Sequence, residues 1–184
     1  MPSFAVRNFG CRVNQAEAFS WADAFRERGL RLDEDWDRSD VVVVNSCTLT
    51  GRAERDVRKF IRAVHRENAA AKIVVTGCYA ERAAAEIAAL PGVAAVLPQS
   101  AKAGLAERVL AIGAEPALLS PAPLSSPVLP ISPLSRIEDD EPAFRARGWV
   151  KVQDGCDEHC TFCVIPSVRG KSRSVPSAGI AGTV

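Results

Sequence analysis

The sequence lacks a charge imbalance: 23 Lys and Arg stand against 22 Asp and Glu in 184 residues, a formal +1. No overall field therefore draws the chain to nucleic acid or membrane, and any such contact has to come from a local patch. It also lacks a run able to span a bilayer. The longest uncharged stretch, Pro116 to Ser135, carries six of the twelve prolines and several serines, which cannot continue a spanning helix. No signal-peptide pattern opens the chain, so a soluble, cytoplasmic protein with no membrane partner is expected. Histidine is scarce, and His65 and His159 stand alone. Six cysteines are too sparse for a small secreted disulfide scaffold, and in a reducing compartment grouped cysteines ligate metal or do redox chemistry. What remains, 47% hydrophobic and 24% charged residues, is globular composition sufficient for one good core.

Hydrophobic periodicity repeats one unit along the first half. Ser3 to Phe9 reads as a strand, followed by an amphipathic helix from Val13 to Leu30 with Ala18, Phe19, Ala22 and Phe25 on one face. The uninterrupted run Val41-Val42-Val43-Val44 suits a strand buried on both faces. A helix follows it with Val57, Phe60, Ile61 and Val64 at i, i+3, i+4, i+7. Ile73-Val74-Val75 precedes a helix carrying Ala83, Ile87 and Leu90, and Ala94 to Leu97 precedes one carrying Leu105, Val109 and Ile112. Four strand-then-helix units predict an α/β fold with a parallel sheet. This first domain is expected over 1–113. A Pro-rich and acidic linker over 114–146 favours extended backbone, and a new strand from Trp149 to Val152 opens a last segment, 147–184, too short to be a domain.

The cysteines form two sets of three. Cys11, Cys47 and Cys78 follow the first, second and third strands, so a parallel sheet brings them to its carboxyl edge, where open α/β sheets bind ligands. Gly10 and Gly77, just before two of them, permit close backbone approach. Any one of these cysteines is equally at home as a small buried hydrophobe; three at matching strand ends make a thiolate site the better account. The second set, Cys156, Cys160 and Cys163, is spaced C-x3-C-x2-C in a loop after a strand. Three close thiolates can hold three irons of a cubane iron–sulfur cluster and leave the fourth without a protein ligand. Zinc is the rival, but a closed zinc site takes four ligands, and His159, the one available, lies inside the first spacer where tetrahedral geometry is strained.

That second set is similar to the radical S-adenosylmethionine signature, and Gly155 through Gly170 resembles its methylthiotransferase branch. Segments Asn8 to Cys11, Asn45 to Thr48 and Thr76 to Tyr79 match the same family's first domain. Gly10 to Glu17 and Arg169 to Pro176 further resemble the subgroup acting on N6-threonylcarbamoyladenosine in tRNA, while Thr161 to Ser167 also resembles the branch that modifies a ribosomal protein. The resemblance implies two [4Fe-4S] clusters, on Cys11, Cys47, Cys78 and on Cys156, Cys160, Cys163. It also implies S-adenosyl-L-methionine as cofactor, with Phe162 against its adenine, an electron donor, and the tRNA anticodon loop as partner. The implied enzyme converts threonylcarbamoyladenosine at position 37 to its 2-methylthio form. In the family the radical domain is a partial β/α barrel followed by a small RNA-binding β-barrel. The chain ends about 20 residues after Cys163, so the resemblance implies an N-terminal fragment, inactive alone, holding only the start of the radical barrel. Phe162 as core, Arg169, Lys171 and Arg173 as a solvated basic loop or as phosphate or cofactor-carboxylate contacts, and Asn14, Gln15 and Asn45 as caps are the residue-level expectations. The competing functions are a non-catalytic iron–sulfur-binding chain, a zinc-binding α/β module, and a methylthiotransferase acting on isopentenyladenosine or on a ribosomal protein.

Overall fold

A computed structural model describes residues 2–33, 35–114 and 150–181. Its first part is a five-stranded sheet, every pair parallel, in the order β2-β1-β3-β4-β5. The strands are β1 Ser3–Asn8, β2 Arg31–Leu32, β3 Val41–Ser46, β4 Lys72–Gly77 and β5 Val93–Val96. Four of these are the predicted ones. The two-residue β2 is additional, pairing Ser3 with Arg31 and Phe4 with Leu32 on the edge beside β1.

The valine run behaves as a central strand should: Val41 to Val44 are all buried. Alternation sends Val41 and Val43 to one face and Val42 and Val44 to the other, each contributing about 1.5–3 kcal/mol of burial as an upper estimate. On the first face, α1 Arg12–Glu27 brings Trp21 and Phe25, and α5 Leu105–Ala114 brings Leu105, Val109 and Ile112, as expected. On the second, α2 Gly51–Glu67 brings Val57, Ile61 and Val64, with Phe60 half-buried beside them. Helices on both faces make the sheet doubly wound.

Three elements depart from expectation. The buried stripe of α1 is Asn14, Glu17, Trp21 and Phe25, with Ala18, Phe19 and Ala22 only half-buried; polar Asn14 and Glu17 lie inside because they have partners there. The single helix expected after β4 is two, α3 Cys78–Arg82 and α4 Ala84–Ala88, broken where Ala83 adopts φ −139°, ψ 47°. A 3-10 helix, Gln99–Gly104, precedes α5. In the last segment, Val150 to Val152 form no strand; Trp149 and the linker lie outside the described residues. The pairing element is β6 Gln153–Asp154, antiparallel to β7 Arg173–Ser174 and extended by a Val175 N–H bond to the Val152 carbonyl. Val152 is 51% exposed. Two short helices, α6 Ile165–Arg169 and α7 Ser177–Ala181, complete the described residues.

Candidate metal centre

Strands β1, β3 and β4 are immediate neighbours, and a cysteine follows each of them. Helices leave β1 and β3 toward opposite faces of the sheet, so Cys11 and Cys47 flank the point where the winding reverses, the position at which such sheets form their ligand crevice. Cys11 is the N-cap of α1, half-buried, and its side chain makes no capping bond. Its thiol instead points at the Asn14 Oδ1, 3.6 Å away. Cys47 and Cys78 are buried, at 5% and 3% exposure, and all three thiols are free. The Gln99 amide lies 3.5 Å from the Cys78 sulfur. Burial pushes the Cys47 thiol above its ordinary value, and the negative charge of Cys78 and Cys11 pushes it further; the three sulfurs thus feel one another. Gly77 makes this approach possible: its φ is +100°, and a Cβ there would stand 2.3 Å from the Ser46 carbonyl.

Among the described residues no three His, Cys, Asp or Glu side chains are gathered to chelate one ion. A cluster held through three separate irons spreads its thiolates more widely than a single ion does, and three free thiols on adjacent strand ends fit that donor set.

The second set lies on the loop between β6 and α6. Cys156 is half-buried, with its N–H on the Gly170 carbonyl, while Cys160 and Cys163 are exposed and share a turn, Cys163 N–H to Cys160 carbonyl. The loop is closed over β7 by the Ser172 N–H bond to Asp157 and by Gly155, at φ +73°, where a Cβ would meet the Lys171 carbonyl at 2.1 Å. Phe162 is fully exposed, so it is no part of a core.

A buried charge network joins the two parts, and the sequence reading missed it. Glu17, on α1, accepts from Lys102 at 2.6 Å, Lys151 at 3.1 Å and Arg169 at 3.3 Å, and from the Asn45 amide at 3.4 Å. Arg169 also bonds Asp154 at 2.7 Å and Asn14, and Lys151 bonds Asp154 at 3.2 Å. Arg169 is therefore no solvated loop residue; it is 5% exposed. Asn14 and Asn45 are no caps either, being buried and bonded to each other at 3.1 Å. Burial raises the Glu17 carboxyl, but Lys102, Lys151 and Arg169 together overcome it and hold the group at about 2. Burial likewise raises Asp154, which Arg169 and Lys151 bring down to about 2. Lys102 falls below the ordinary lysine value because its burial outweighs the attraction of Glu17. The charges of both Lys102 and Arg169 reach Cys78, so this network borders the thiol edge. A buried carboxylate at Glu17 and a buried guanidinium at Arg169 were detectable only as charged residues flanking the cysteine segments.

Residues 3–98 match the family described as Uncharacterized protein family UPF0004. The chain is 36% identical over 180 residues to Threonylcarbamoyladenosine tRNA methylthiotransferase MtaB of Bacillus subtilis (strain 168), covering 95% of this chain and 38% of that protein. It is 34% identical over 190 residues to Ribosomal protein uS12 methylthiotransferase RimO of Saccharopolyspora erythraea, covering 90% and 39%. It is 31% identical over 192 residues to tRNA-2-methylthio-N(6)-dimethylallyladenosine synthase of Sorangium cellulosum, covering 100% and 38%. The chain thus spans about two fifths of the length of the curated relatives it matches.

Proposed function

The chain belongs to Uncharacterized protein family UPF0004 and is a relative of methylthiotransferases, and from that premise we propose that it forms the sulfur-delivering part of a tRNA methylthiotransferase. The substrate is threonylcarbamoyladenosine beside the anticodon, converted to its 2-methylthio derivative. Cys11, Cys47 and Cys78 hold one [4Fe-4S] cluster. Cys156, Cys160 and Cys163 hold a second, at which S-adenosyl-L-methionine binds with Phe162 beside its adenine. Bound, these groups supply the radical that activates the C–H bond and the sulfur that replaces the hydrogen, chemistry no side chain performs by acid–base means. The divisions 1–113, 114–146 and 147–184 are the cluster domain, a linker and the opening of the radical barrel, in a cytoplasmic enzyme served by an electron donor.

The observation that carries this reading is the placement of three free thiols at the ends of neighbouring parallel strands. The protein's own residues prepare the site. The strands fix the thiol spacing, Gly77 lets the backbone close on it, and Glu17 ties the Cys156 loop, through Arg169 and Lys151, to the same edge. Such positioning supplies much of what a cofactor enzyme contributes.

Anaerobic reconstitution tests the cluster assignment. Wild type is expected to take up iron and acid-labile sulfide, and the Cys11→Ala, Cys47→Ala, Cys78→Ala triple variant to lose a cluster's share of both. Equal content would sink the assignment, as would stoichiometric zinc without sulfide. The substrate is tested by nucleoside mass spectrometry of tRNA from cells lacking the full gene. Loss of 2-methylthio-threonylcarbamoyladenosine is expected; its retention with loss of the dimethylallyl counterpart, or of ribosomal-protein methylthiolation, moves the assignment to another branch.

A further inference from the structure

Helix α2 presents a row of unpaired cations to solvent. Between Gly51 and Glu67 it carries Arg52, Arg55, Arg58, Lys59, Arg62 and Arg66 against three carboxylates, Glu54, Asp56 and Glu67. Each carboxylate is already engaged: Glu54 by Arg82 at 2.6 Å, Asp56 by Arg52 at 3.8 Å and Glu67 by Arg66 at 2.6 Å. Arg58 is held by Glu86 and the Tyr79 hydroxyl. Arg55, Lys59 and Arg62 are left exposed with no carboxylate partner among the described residues. They lie at i, i+4 and i+7, opposite the buried Val57, Ile61 and Val64, and Arg66 continues the row at i+11.

This arrangement works against the helix itself. Arg55 with Lys59, Arg58 with Arg62, and Arg62 with Arg66 are like charges at i, i+4, the spacing at which repulsion destabilises a helix and an acidic residue would stabilise it. The stripe also has a direction. Helix α2 starts just past Cys47, the thiol that follows β3, and runs back along the sheet. Arg55 therefore lies nearest the thiol edge and Arg62 farthest from it in the unpaired row, about 10 Å along the axis. That length matches about three steps of a nucleic-acid strand at ~3.4 Å per charge.

We propose that the exposed face of α2, through Arg55, Lys59 and Arg62, is a phosphate-backbone contact surface for RNA. It guides the strand along the helix toward the thiol edge. The choice of RNA over another polyanion rests on the tRNA reading above; the unpaired charge does not. Contacts of this kind position the nucleic acid without reading its sequence. They also supply the local patch that the near-zero net charge demands of any nucleic-acid contact.

The test is fluorescence anisotropy of the 184-residue chain with an unmodified anticodon stem-loop RNA, titrated across salt. Against wild type stand an Arg55→Gln, Lys59→Gln, Arg62→Gln variant and an Arg55→Lys, Arg62→Lys variant. Because each neutralised phosphate adds about 0.7–0.9 to the slope of log K against log salt, the glutamine variant is expected to be shallower by about 2–3. Its affinity at low salt should fall by about tenfold or more. The lysine variant should keep both values, since a point charge suffices. Helical circular dichroism of the variants is expected to match wild type, because none of the three side chains has a packing role. Unchanged affinity and slope in the glutamine variant overturn the surface while leaving the tRNA reading intact, which the nucleoside analysis judges separately. Wild type that binds polyglutamate but not the RNA overturns it as well, in favour of an acidic protein partner.

Discussion

Arg169 and Glu17, 152 positions apart in the chain, meet at 3.3 Å with 4% and 5% of their side chains exposed. A contact of that separation between fully charged groups fixes where the Cys156 loop sits on the first sheet. It is specific because both partners are desolvated and neither can find water instead.

Glu17→Ala should destabilise the chain by about 3–5 kcal/mol, because it leaves Lys102 buried without its carboxylate and strips Arg169 of one of its two. Urea unfolding measures this. A loss below about 1 kcal/mol would mean that the network behaves as an exposed, screened one.

Acid should undo the same contact. The Glu17 carboxyl lies at about 2 against an ordinary 4.5, so the unfolded chain binds the proton first. The stability from this group is complete above about 4.5 and is lost as pH falls toward 2. The change is about 3 kcal/mol across that window. The groups facing Glu17 are Lys102, Lys151, Arg169 and the Asn45 amide. Asp154, also held at about 2, adds its own loss in the same window, so stability measured against pH should fall steeply in wild type and Glu17→Gln should make that fall shallower by the share of Glu17 alone.

Legibility in the sequence followed physical range. Val41 to Val44 announced a central strand because a run without polar alternation has few other homes, and strand order then placed Cys11, Cys47 and Cys78 at one edge. The Glu17 network could not be read that way. Charged residues on a helix are ordinarily solvated, and nothing local marks a carboxylate whose partners arrive from residues 102, 151 and 169. The β2 strand, two residues long, carries too little periodicity to register, and the break at Ala83 is a backbone event in an alanine-rich stretch with no Gly or Pro to signal it. Phe162 reads equally as core or as a partner for a cofactor's adenine, and its full exposure removes the first of these.

Thiol alkylation should separate the two cysteine sets. Cys160 and Cys163 are exposed and should label first. Cys47 and Cys78, buried, and in the Cys47 case with its thiol pushed up by burial and by its neighbours, should label at least about tenfold more slowly. Peptide mass spectrometry over a time course with N-ethylmaleimide reads both. Equal rates would place Cys47 and Cys78 in solvent.

Gly77→Ala should cost at least about 2 kcal/mol. It forces an L side chain into φ +100° and drives a Cβ to 2.3 Å from the Ser46 carbonyl. Thermal unfolding of the variant, with Gly51→Ala as a control where a Cβ meets nothing within 4 Å, checks it.

Because Cys11, Cys47 and Cys78 are set by the neighbouring order of β1, β3 and β4, their intervals in the chain carry no structural information. Residues inserted at the exposed Ala69–Ala70 turn, at the opposite edge of the sheet, would lengthen the interval from Cys47 to Cys78 and leave the sulfurs where they are. A search for such sites by fixed cysteine spacing is therefore looking at the wrong coordinate. The quantity that persists through insertion and drift is the rank of each strand in the sheet, and a genome survey keyed to a cysteine after each of three adjacent parallel strands would recover sites that a spacing pattern passes over.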